Sequence, residues 1–291
     1  MHRRLPRSLL LSLTALVPAL GLLIGFGSAA SAGTAATRAT PGAQARAAAS
    51  AALRRLAIGQ RAADQRVAGH VSRVKGLTQV QSTNWSGYAD DNTAGNTYSK
   101  VAANWTEPSA SCSGSATSLA AFWVGIDGYT SSSVEQDGTL VECYRGSAYY
   151  YTWWEMYPSN AIQVVGESLS PGDSISASVS KSGGSYTLKV TDSTHSANSF
   201  STTQTCSSCA DTSAEWVAEA PSGSAGVYPL SNFHSWTASS ATVTSGSTAG
   251  VISTFPDDEM TMVDSSGAVK AQPGSLNSGG NGFTVTWKRS S

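Results

Sequence analysis

The chain has 291 residues, of which 18 are lysine or arginine and 19 are aspartate or glutamate. Residues 1–75 hold 11 of the cationic residues and a single acid, so residues 76–291 carry 7 cationic and 18 acidic side chains, a net charge of −11. Such an anionic surface argues against nucleic acid as a partner. It also suits acid conditions, because few cations remain to repel one another once the carboxylates are protonated, although a merely soluble secreted domain could share this composition.

The N-terminal segment has the pattern of a secretory signal peptide. Three arginines within the first seven residues precede an apolar stretch over residues 9–26, and the small residues Ala-Ser-Ala follow at 30–32. A membrane anchor is the alternative, but Pro18 and the A-x-A site favour cleavage. We therefore expect a signal peptide over residues 1–32 and a secreted, extracellular protein without stable membrane association.

Residues 33–75 form a second, different segment. They are rich in alanine and carry eight cationic residues against Asp64 alone. The stretch 51–67 has a weakly amphipathic pattern that predicts a helix. A nucleic-acid arm would share this charge, but after a signal peptide a removable pro-segment is favoured. We expect this basic pro-segment to inhibit the anionic remainder of the chain, with a boundary between residues 75 and about 83.

From residue 76 to 291 the sequence predicts one all-β domain. Short alternating runs recur at 97–105, 120–127, 147–157, 173–179, 186–191, 213–219 and 283–287. Many short strands without a helical period are typical of an antiparallel sandwich or barrel. The serine- and glycine-rich stretches 239–250 and 274–282 are predicted to be loops. No pattern indicates an oligomer, so we expect a monomer.

Four cysteines lie in this domain, at Cys112, Cys143, Cys206 and Cys209. An even number in an exported protein predicts two disulfides. Of the three possible pairings, Cys112–Cys143 with Cys206–Cys209 is favoured, because each bond closes a short loop. A zinc site is the competing interpretation of the C-x-x-C motif, but it lacks a suitably spaced histidine partner. We expect no metal and no cofactor.

Three of the predicted strands place acids beside aromatic or small residues on one face. Side chains alternate between the two faces of a strand, so residues two apart lie together. The three faces comprise Trp153, Glu155 and Tyr157; Glu215, Val217 and Glu219; and Trp123, Gly125 and Asp127. One such face is most simply a solvated surface, whereas three in a chain with 13% charged residues predict a groove for an extended polar polymer.

These faces alone allow three kinds of function. A glycoside hydrolase would use two carboxylates around the scissile bond and aromatic rings against the sugar. A peptidase would need a base for water and a donor for the oxyanion. A lectin-like module would bind without catalysis. The residue pattern by itself puts the sugar hydrolase first.

Five sequence blocks resemble a known family and change that order. They are "NWSGY" at 84–88, "WVGIDG" at 123–128, "VEQDGT" at 134–139, "WWEMYP" at 153–158 and "AEWVAEAP" at 214–221. In this order and spacing they are similar to the blocks of the glutamic peptidases, the eqolisin family. The resemblance implies a concanavalin A-like sandwich of two large antiparallel sheets with a concave groove. It also implies a preproprotein, polypeptide substrates and activity at acid pH.

The resemblance assigns the catalytic dyad to Gln136 and Glu219. Around it the matching blocks place six substrate-binding residues: Trp85, Trp123, Asp127, Trp153, Glu155 and Tyr157. Glu215 competes with Glu219 as the base, because both lie on one predicted face, and Glu155 is expected to orient the dyad. Asp137 stands where the fungal enzymes have a small hydroxyl residue, and the cysteine positions differ from theirs.

Overall fold

Residues 41–55, 66–74 and 77–291 are described in the computed structural model of the chain. The predicted signal peptide, residues 1–32, lies outside the described residues, as does part of the predicted pro-segment. Thr40–Ser291 form one compact unit. In the described part of the chain, no helix has the length and apolar character needed to cross a bilayer.

The described unit contains one α-helix, two 3-10 helices and nineteen strands. The helices are α1 (Pro41–Arg55) and the 3-10 turns Ser196–Asn198 and Ile252–Thr254. The first ten strands are β1 (Arg66–Val74), β2 (Leu77–Ser82), β3 (Trp85–Asp90), β4 (Tyr98–Thr106), β5 (Ser118–Ile126), β6 (Val134–Tyr144), β7 (Ser147–Tyr157), β8 (Asn160–Gly166), β9 (Ser174–Ser182) and β10 (Ser185–Asp192). The others are β11 (Phe200–Thr205), β12 (Ala214–Glu219), β13 (Ser222–Gly223), β14 (Gly226–Val227), β15 (Ser235–Ser245), β16 (Thr248–Gly250), β17 (Asp257–Val263), β18 (Val269–Pro273) and β19 (Phe283–Trp287).

The strands form an antiparallel β-sandwich, as predicted. Sheet A has the order β1-β2-β17-β3-β12-β5-β6-β7-β8, and β18 and β19 extend it from β17. Sheet B has the order β16-β15-β4-β9-β10-β11. Pairing is antiparallel throughout these described strands except between β2 and β17. All seven of the predicted alternating runs are strands.

Strand β15 joins the two sheets. Its residues 235–238 pair with β19 in sheet A, whereas residues 239–245 pair with β4 in sheet B. The register shifts between Ser239 and Thr242, and Ser240 has a φ of 51°. The predicted loop over 239–250 is therefore wrong. Buried Ala241 and Val243 alternate with more exposed Ser and Thr residues, which is the period of a strand despite the loop-like composition. The predicted loop over 274–282 is confirmed.

The two faces of sheet A carry different apolar clusters. The inner face, towards sheet B, contributes Phe122, Val124 and Trp216 to the main core. The outer face carries a second cluster, which includes Trp85, Trp123, Leu140, Tyr151, Trp153 and Val217 and is called the outer-face cluster below. The predicted alternation in β7 and β12 is thus confirmed, with Trp153 and Val217 on one side and Met156 and Trp216 on the other.

The described parts of the predicted pro-segment pack on this sandwich. Leu53 of α1 belongs to the outer-face cluster, and the Arg46 guanidinium lies 5.9 Å from the Tyr149 ring centroid and donates to the Glu167 carbonyl. Ser50 Oγ donates to Glu167 Oε1 at 2.7 Å. The helix begins at Pro41, a residue favoured in the first turn, and ends at Arg55. The prediction of a helix over 51–67 was therefore wrong in its bounds, because β1 already begins at Arg66.

Both disulfides have the favoured pairing. Cys112 bonds to Cys143 with a Cα–Cα distance of 5.3 Å, and Cys206 bonds to Cys209 with a distance of 5.7 Å. The first fastens the segment before β5 to the end of β6. The second closes a loop before β12.

Candidate active site

On the outer face of sheet A, β5 lies between the strands of the predicted dyad, β6 and β12. Glu215 of β12 is paired with Gly125 of β5, Gly125 with Gln136 of β6, and Gln136 with Glu155 of β7. These four residues form a row across the sheet. Glu219 lies at the end of β12, where it is paired with Trp85 of β3 and Ala121 of β5. Register therefore fixes which side chains share this face.

Gln136 is held by an acid on the next strand. Its Nε2 donates to Glu155 Oε2 at 2.6 Å, and its side chain is only 1% exposed. Its Oε1 is buried and has no hydrogen-bond partner among the residues that the structure describes. Since buried polar atoms are normally hydrogen-bonded, this amide retains capacity for a water or a substrate group.

Gly125 makes room between Trp123 and Gln136. A Cβ added at Gly125 would lie 2.9 Å from the Trp123 ring and 3.3 Å from Gln136 Cβ. A larger residue would therefore displace one of them. This close approach on the outer face explains why the first glycine of the "WVGIDG" block, Gly125, has no side chain.

Glu219 has a hydrogen-bond donor on each carboxylate oxygen. Trp123 Nε1 donates to Oε2 at 2.9 Å, and Asn84 Nδ2 donates to Oε1 at 3.5 Å. Trp85 packs edge-on against Trp123 with ring centroids 4.8 Å apart. Donors of this kind favour the ionised form of a carboxyl group. The arrangement is suited to a carboxylate that accepts a proton.

The surroundings of Glu155 favour its protonated form, unlike those of Glu219. Burial raises the pKa of its carboxyl well above the usual value, the hydrogen bond from Gln136 lowers it, and the nearby charge of Glu219 raises it again. Burial is the largest of these causes. Two neighbouring carboxyl groups are thus driven towards different protonation states, with Glu155 neutral in acid and mildly acidic solution.

The aromatic residues predicted around the dyad lie on the same face. Trp85, Trp123 and Trp153 are buried members of the outer-face cluster, and Tyr157 is half-buried at the end of β7. The indole N–H groups of Trp85 and Trp153 are buried without an acceptor among the described residues. They are donors that a bound peptide backbone could use.

Asp127 lies just beyond the end of β5 and binds a neighbouring loop. Strand β5 ends at Ile126, and Asp127 has a φ of 70°, so the alternation of the strand does not extend to it. Its carboxylate accepts the backbone N–H groups of Ala210, Asp211 and Thr212 at 2.8, 2.9 and 2.8 Å. These bonds hold the segment that follows the Cys206–Cys209 disulfide.

Two further buried acids, Asp137 and Glu215, lie on opposite faces of sheet A. Asp137 is on the inner face of β6, where burial raises the pKa of its carboxyl well above the usual value. Glu215 lies in the row with Gln136, and burial likewise raises its pKa. Both oxygens of Glu215 are buried, and the neighbouring Ser213 hydroxyl offsets only part of the effect of burial on the pKa. Glu219, with two donors, is therefore better suited to act as a base than Glu215.

The described residues contain two groups of side chains with metal-ligand spacing, and neither includes Gln136, Glu155 or Glu219. The first, Glu135 with Cys206 and Cys209, is occupied by the disulfide. The second consists of Asp173, Asp192 and His195. In that second group the carboxylates already accept hydrogen bonds, including one of 2.9 Å from the histidine ring.

Sequence reasoning did not single out Asn84, although it begins the "NWSGY" block. Asn84 is fully buried and reaches Glu219 across 135 sequence positions. Its place in the first block was the available signal. Only the pairing of β3 with β12 shows that the residue before β3 meets the residue at the end of β12.

Known proteins resemble this chain in sequence and in fold. Residues 83–287 match the model of the Peptidase A4 family. The chain is 30% identical over 243 residues to Aspergillopepsin-2 of Aspergillus niger, covering 75% of this chain and 82% of that protein. It is 36% identical over 142 residues to Scytalidopepsin B of Scytalidium lignicola, covering 47% of this chain and 51% of that protein.

Solved structures agree with the sequence comparisons. Scytalido-glutamic peptidase with a transition-state analogue inhibitor matches with a TM-score of 0.59 and 22% identity, over 71% of this chain and 98% of that one. Aspergilloglutamic peptidase from Aspergillus niger matches with a TM-score of 0.51 and 29% identity, over 58% of this chain and 99% of that one. The chain therefore belongs to the Peptidase A4 family, the eqolisins, and is a glutamic peptidase.

Proposed function

We propose that this peptidase is a secreted acid endopeptidase in which Gln136 and Glu219 form the catalytic dyad. The proposal rests on two acids of the same sheet face, Glu219 and Glu155, which differ in their hydrogen-bond donors and in the effect of burial on the pKa. Glu219 has donors on both oxygens, at 2.9 and 3.5 Å, whereas Glu155 is buried with a raised pKa and accepts from Gln136. One acid is thus arranged as a base and the other as a neutral support.

In this mechanism Glu219 acts first as a general base. Its carboxylate takes a proton from a water molecule, and the water oxygen bonds to the carbonyl carbon of the peptide. The protonated Glu219 then gives its proton to the amide nitrogen as the C–N bond breaks. A carboxylic acid and an amine leave, and Glu219 is again a carboxylate. No covalent intermediate with the protein forms.

Gln136 stabilises the charge that develops on the substrate oxygen. One N–H of its Nε2 is bonded to Glu155, which leaves the second N–H for the oxyanion. Its Oε1 has no other partner among the described residues and can hold the attacking water. Loss of one such donor typically raises a barrier by about 3–4 kcal/mol. Because an amide does not titrate, this donor works at any pH.

The carboxylate base accounts for activity in acid. A histidine base is protonated well below its ordinary pKa of about 6.5, whereas a glutamate of ordinary pKa about 4.3 stays partly ionised in mild acid. The surrounding groups also favour acid conditions, because the buried Glu155 and Glu215 are neutral there. Ionisation of Glu155 at higher pH would place further negative charge near Glu219.

Polypeptides are the substrates that the family implies, and we assign their binding to the outer face of sheet A. Trp85, Trp123, Trp153 and Tyr157 offer apolar contacts, and the buried indole N–H groups of Trp85 and Trp153 offer donors. In this assignment Glu155 supports Gln136 and Asp127 holds the adjoining loop, so neither needs to touch the substrate.

Export and maturation complete the proposal. The arginine-rich start, the apolar stretch and the A-x-A site support a signal peptide over residues 1–32, and two disulfides suit an oxidising compartment. Residues 33–75 act as an inhibitory pro-segment. The contacts of Arg46, Ser50 and Leu53 with the sandwich support this role, because Leu53 belongs to the same outer-face cluster as Trp123.

The test is proteolysis by the purified, processed protein. We expect release of peptides from casein in mild acid, and no reducing sugar from β-glucans. Pepstatin, chelators and serine reagents should leave this activity intact. Glu219→Ala and Gln136→Ala should each lose at least about 100-fold in kcat while the far-ultraviolet spectrum and Tm stay those of a folded sandwich. Wild-type turnover by either folded variant would refute the dyad.

A further inference from the structure

A buried turn between β2 and β3 carries the second donor to Glu219. Ser82 Oγ accepts the backbone N–H groups of Asn84 at 3.3 Å and Trp85 at 3.1 Å. The same hydroxyl donates its hydrogen to Asn84 Oδ1 at 3.0 Å. Ser82, Asn84 and Trp85 are all fully buried. The turn is therefore fixed by its own side chain before it meets β12.

This hydrogen bond determines which way the Asn84 amide faces. Because Oδ1 accepts from Ser82, the Nδ2 end is directed to Glu219 Oε1 at 3.5 Å. The backbone of Asn84 is also held against β12, since the Ala220 N–H donates to the Asn84 carbonyl at 2.8 Å. Asn84 is thus tied to the acid and to the residue that follows it.

We propose that Asn84 is a positioning residue for Glu219, which holds Oε1 while Trp123 holds Oε2. The proposal rests on Glu219 being the catalytic base. With both oxygens held, the carboxylate has one orientation and its remaining lone pairs are directed to the water. Without Asn84, Oε1 loses this donor while the 2.9 Å bond from Trp123 to Oε2 remains, so the carboxylate is held less firmly. Near-attack geometry would then be populated less often.

The charged groups around Glu219 explain why a second donor matters. Glu155 approaches from β7, and Glu215 lies four residues away on the same face of β12. An ionised Glu155 favours a protonated Glu219. Behind the turn, Lys270 Nζ of β18 lies 3.4 Å from the Thr83 carbonyl, and burial lowers the pKa of this lysine to about 8. The ammonium therefore stays charged in acid and supports the turn.

The experiment compares three variants of the processed enzyme. Asn84→Ala removes the donor, Ser82→Ala leaves the amide but frees its orientation, and Ser86→Ala is the control. Ser86 is fully buried on β3, and its Oγ has no partner among the described residues. We measure kcat and KM for a peptide substrate from pH 2 to pH 7, together with Tm.

The expected order is graded. Asn84→Ala should lower kcat by roughly 10-fold, with KM within about twofold, and move the acid limb of the kcat/KM profile to higher pH by about one unit. Ser82→Ala should lower kcat and shift the acid limb to higher pH by smaller amounts. Ser86→Ala should change neither kcat nor the acid limb. Loss of packing alone would lower Tm without shifting the acid limb.

The proposal is overturned if folded Asn84→Ala keeps the wild-type kcat and pH profile. Should Asn84→Ala fail to fold, Asn84→Asp keeps the shape of the side chain but replaces the donor by an acid. An unshifted acid limb in Asn84→Asp would then overturn it. The dyad is judged separately: an inactive Glu219→Ala beside a fully active Asn84→Ala rejects the positioning role alone, whereas an active Glu219→Ala rejects the dyad.

Discussion

Gln136 Nε2 lies 2.6 Å from Glu155 Oε2, and the two residues face one another across the β6–β7 pair. Burial raises the pKa of the Glu155 carboxyl, so in acid the acceptor is a neutral acid. A neutral acceptor fixes the amide without adding a second charge beside Glu219.

Glu155→Gln should retain most of the activity in acid, because a glutamine carbonyl can still accept from Gln136. We expect kcat within about fivefold of wild type, whereas Glu155→Ala should lose about 10- to 100-fold by leaving the amide unsupported. At higher pH the Gln variant should outlast the wild type, since it cannot ionise. The pH dependence of kcat/KM for the two variants checks this, and an inactive Glu155→Gln would mean that the acid itself takes part in proton transfer.

Stability should fall as the pH rises. Burial, followed by the charge of Asp127, raises the pKa of Glu135 to about 10, and burial raises that of Asp90 to about 9. These groups bind protons in the folded state that the unfolded chain has released above about pH 4. The unfolding free energy therefore decreases from about pH 4 towards pH 8 or higher, and Tm measured by circular dichroism should be highest in acid.

Glu135→Gln tests the cause of this loss. Both oxygens of Glu135 are buried beside Asp127, and glutamine cannot ionise there. At pH 7 the variant should be more stable than the wild type by about 1–3 kcal/mol, and at pH 4 the two should be similar. Equal slopes of Tm against pH in both proteins would contradict this explanation.

Asp127 should contribute to stability and not to substrate contact. Its carboxylate accepts three backbone N–H groups from residues 210–212. Asp127→Ala should lower the unfolding free energy by about 2–5 kcal/mol, and Asp127→Asn by less, because these are charge-assisted bonds in a buried place. Limited proteolysis should cut near residues 206–212. A raised KM with unchanged Tm would instead return Asp127 to the substrate-binding residues.

Processing of the precursor should be triggered by acid. Residues 33–75 carry eight cationic residues against one acid, and residues 76–291 carry 18 acidic residues against seven cationic ones, so protonation of the exposed carboxylates weakens the attraction between the two segments. Incubation across pH and salt should show the fastest processing in acid. Leu53→Asp should accelerate release at neutral pH, because Leu53 is buried in the outer-face cluster, whereas the exposed Ala48→Asp should not. Fastest processing at neutral pH would refute the idea.

Much of the local structure could be predicted because its cause is local. Alternation in residues 147–157 and 213–219 predicted the faces on which Trp153, Glu155 and Val217 lie, since period 2 is a property of each strand alone. The spacing of the cysteines likewise predicted the two short disulfide loops. The loop predicted over 239–250 failed because composition outweighed an alternation of small buried residues in β15.

The amino-acid sequence was enough to predict the fold class, the family and the faces of β7 and β12, but not the position of Asp127. Three contacts became visible in the folded chain alone. Asn84 donates to Glu219 across 135 positions, Gln136 donates to Glu155, and Asp127 accepts from the backbone of residues 210–212. The physical reason is that strand periodicity acts over two residues, whereas these contacts depend on which strands pair and in what register. A shift of one residue in the β3–β12 or β6–β7 pairing would turn the same side chains to the opposite face.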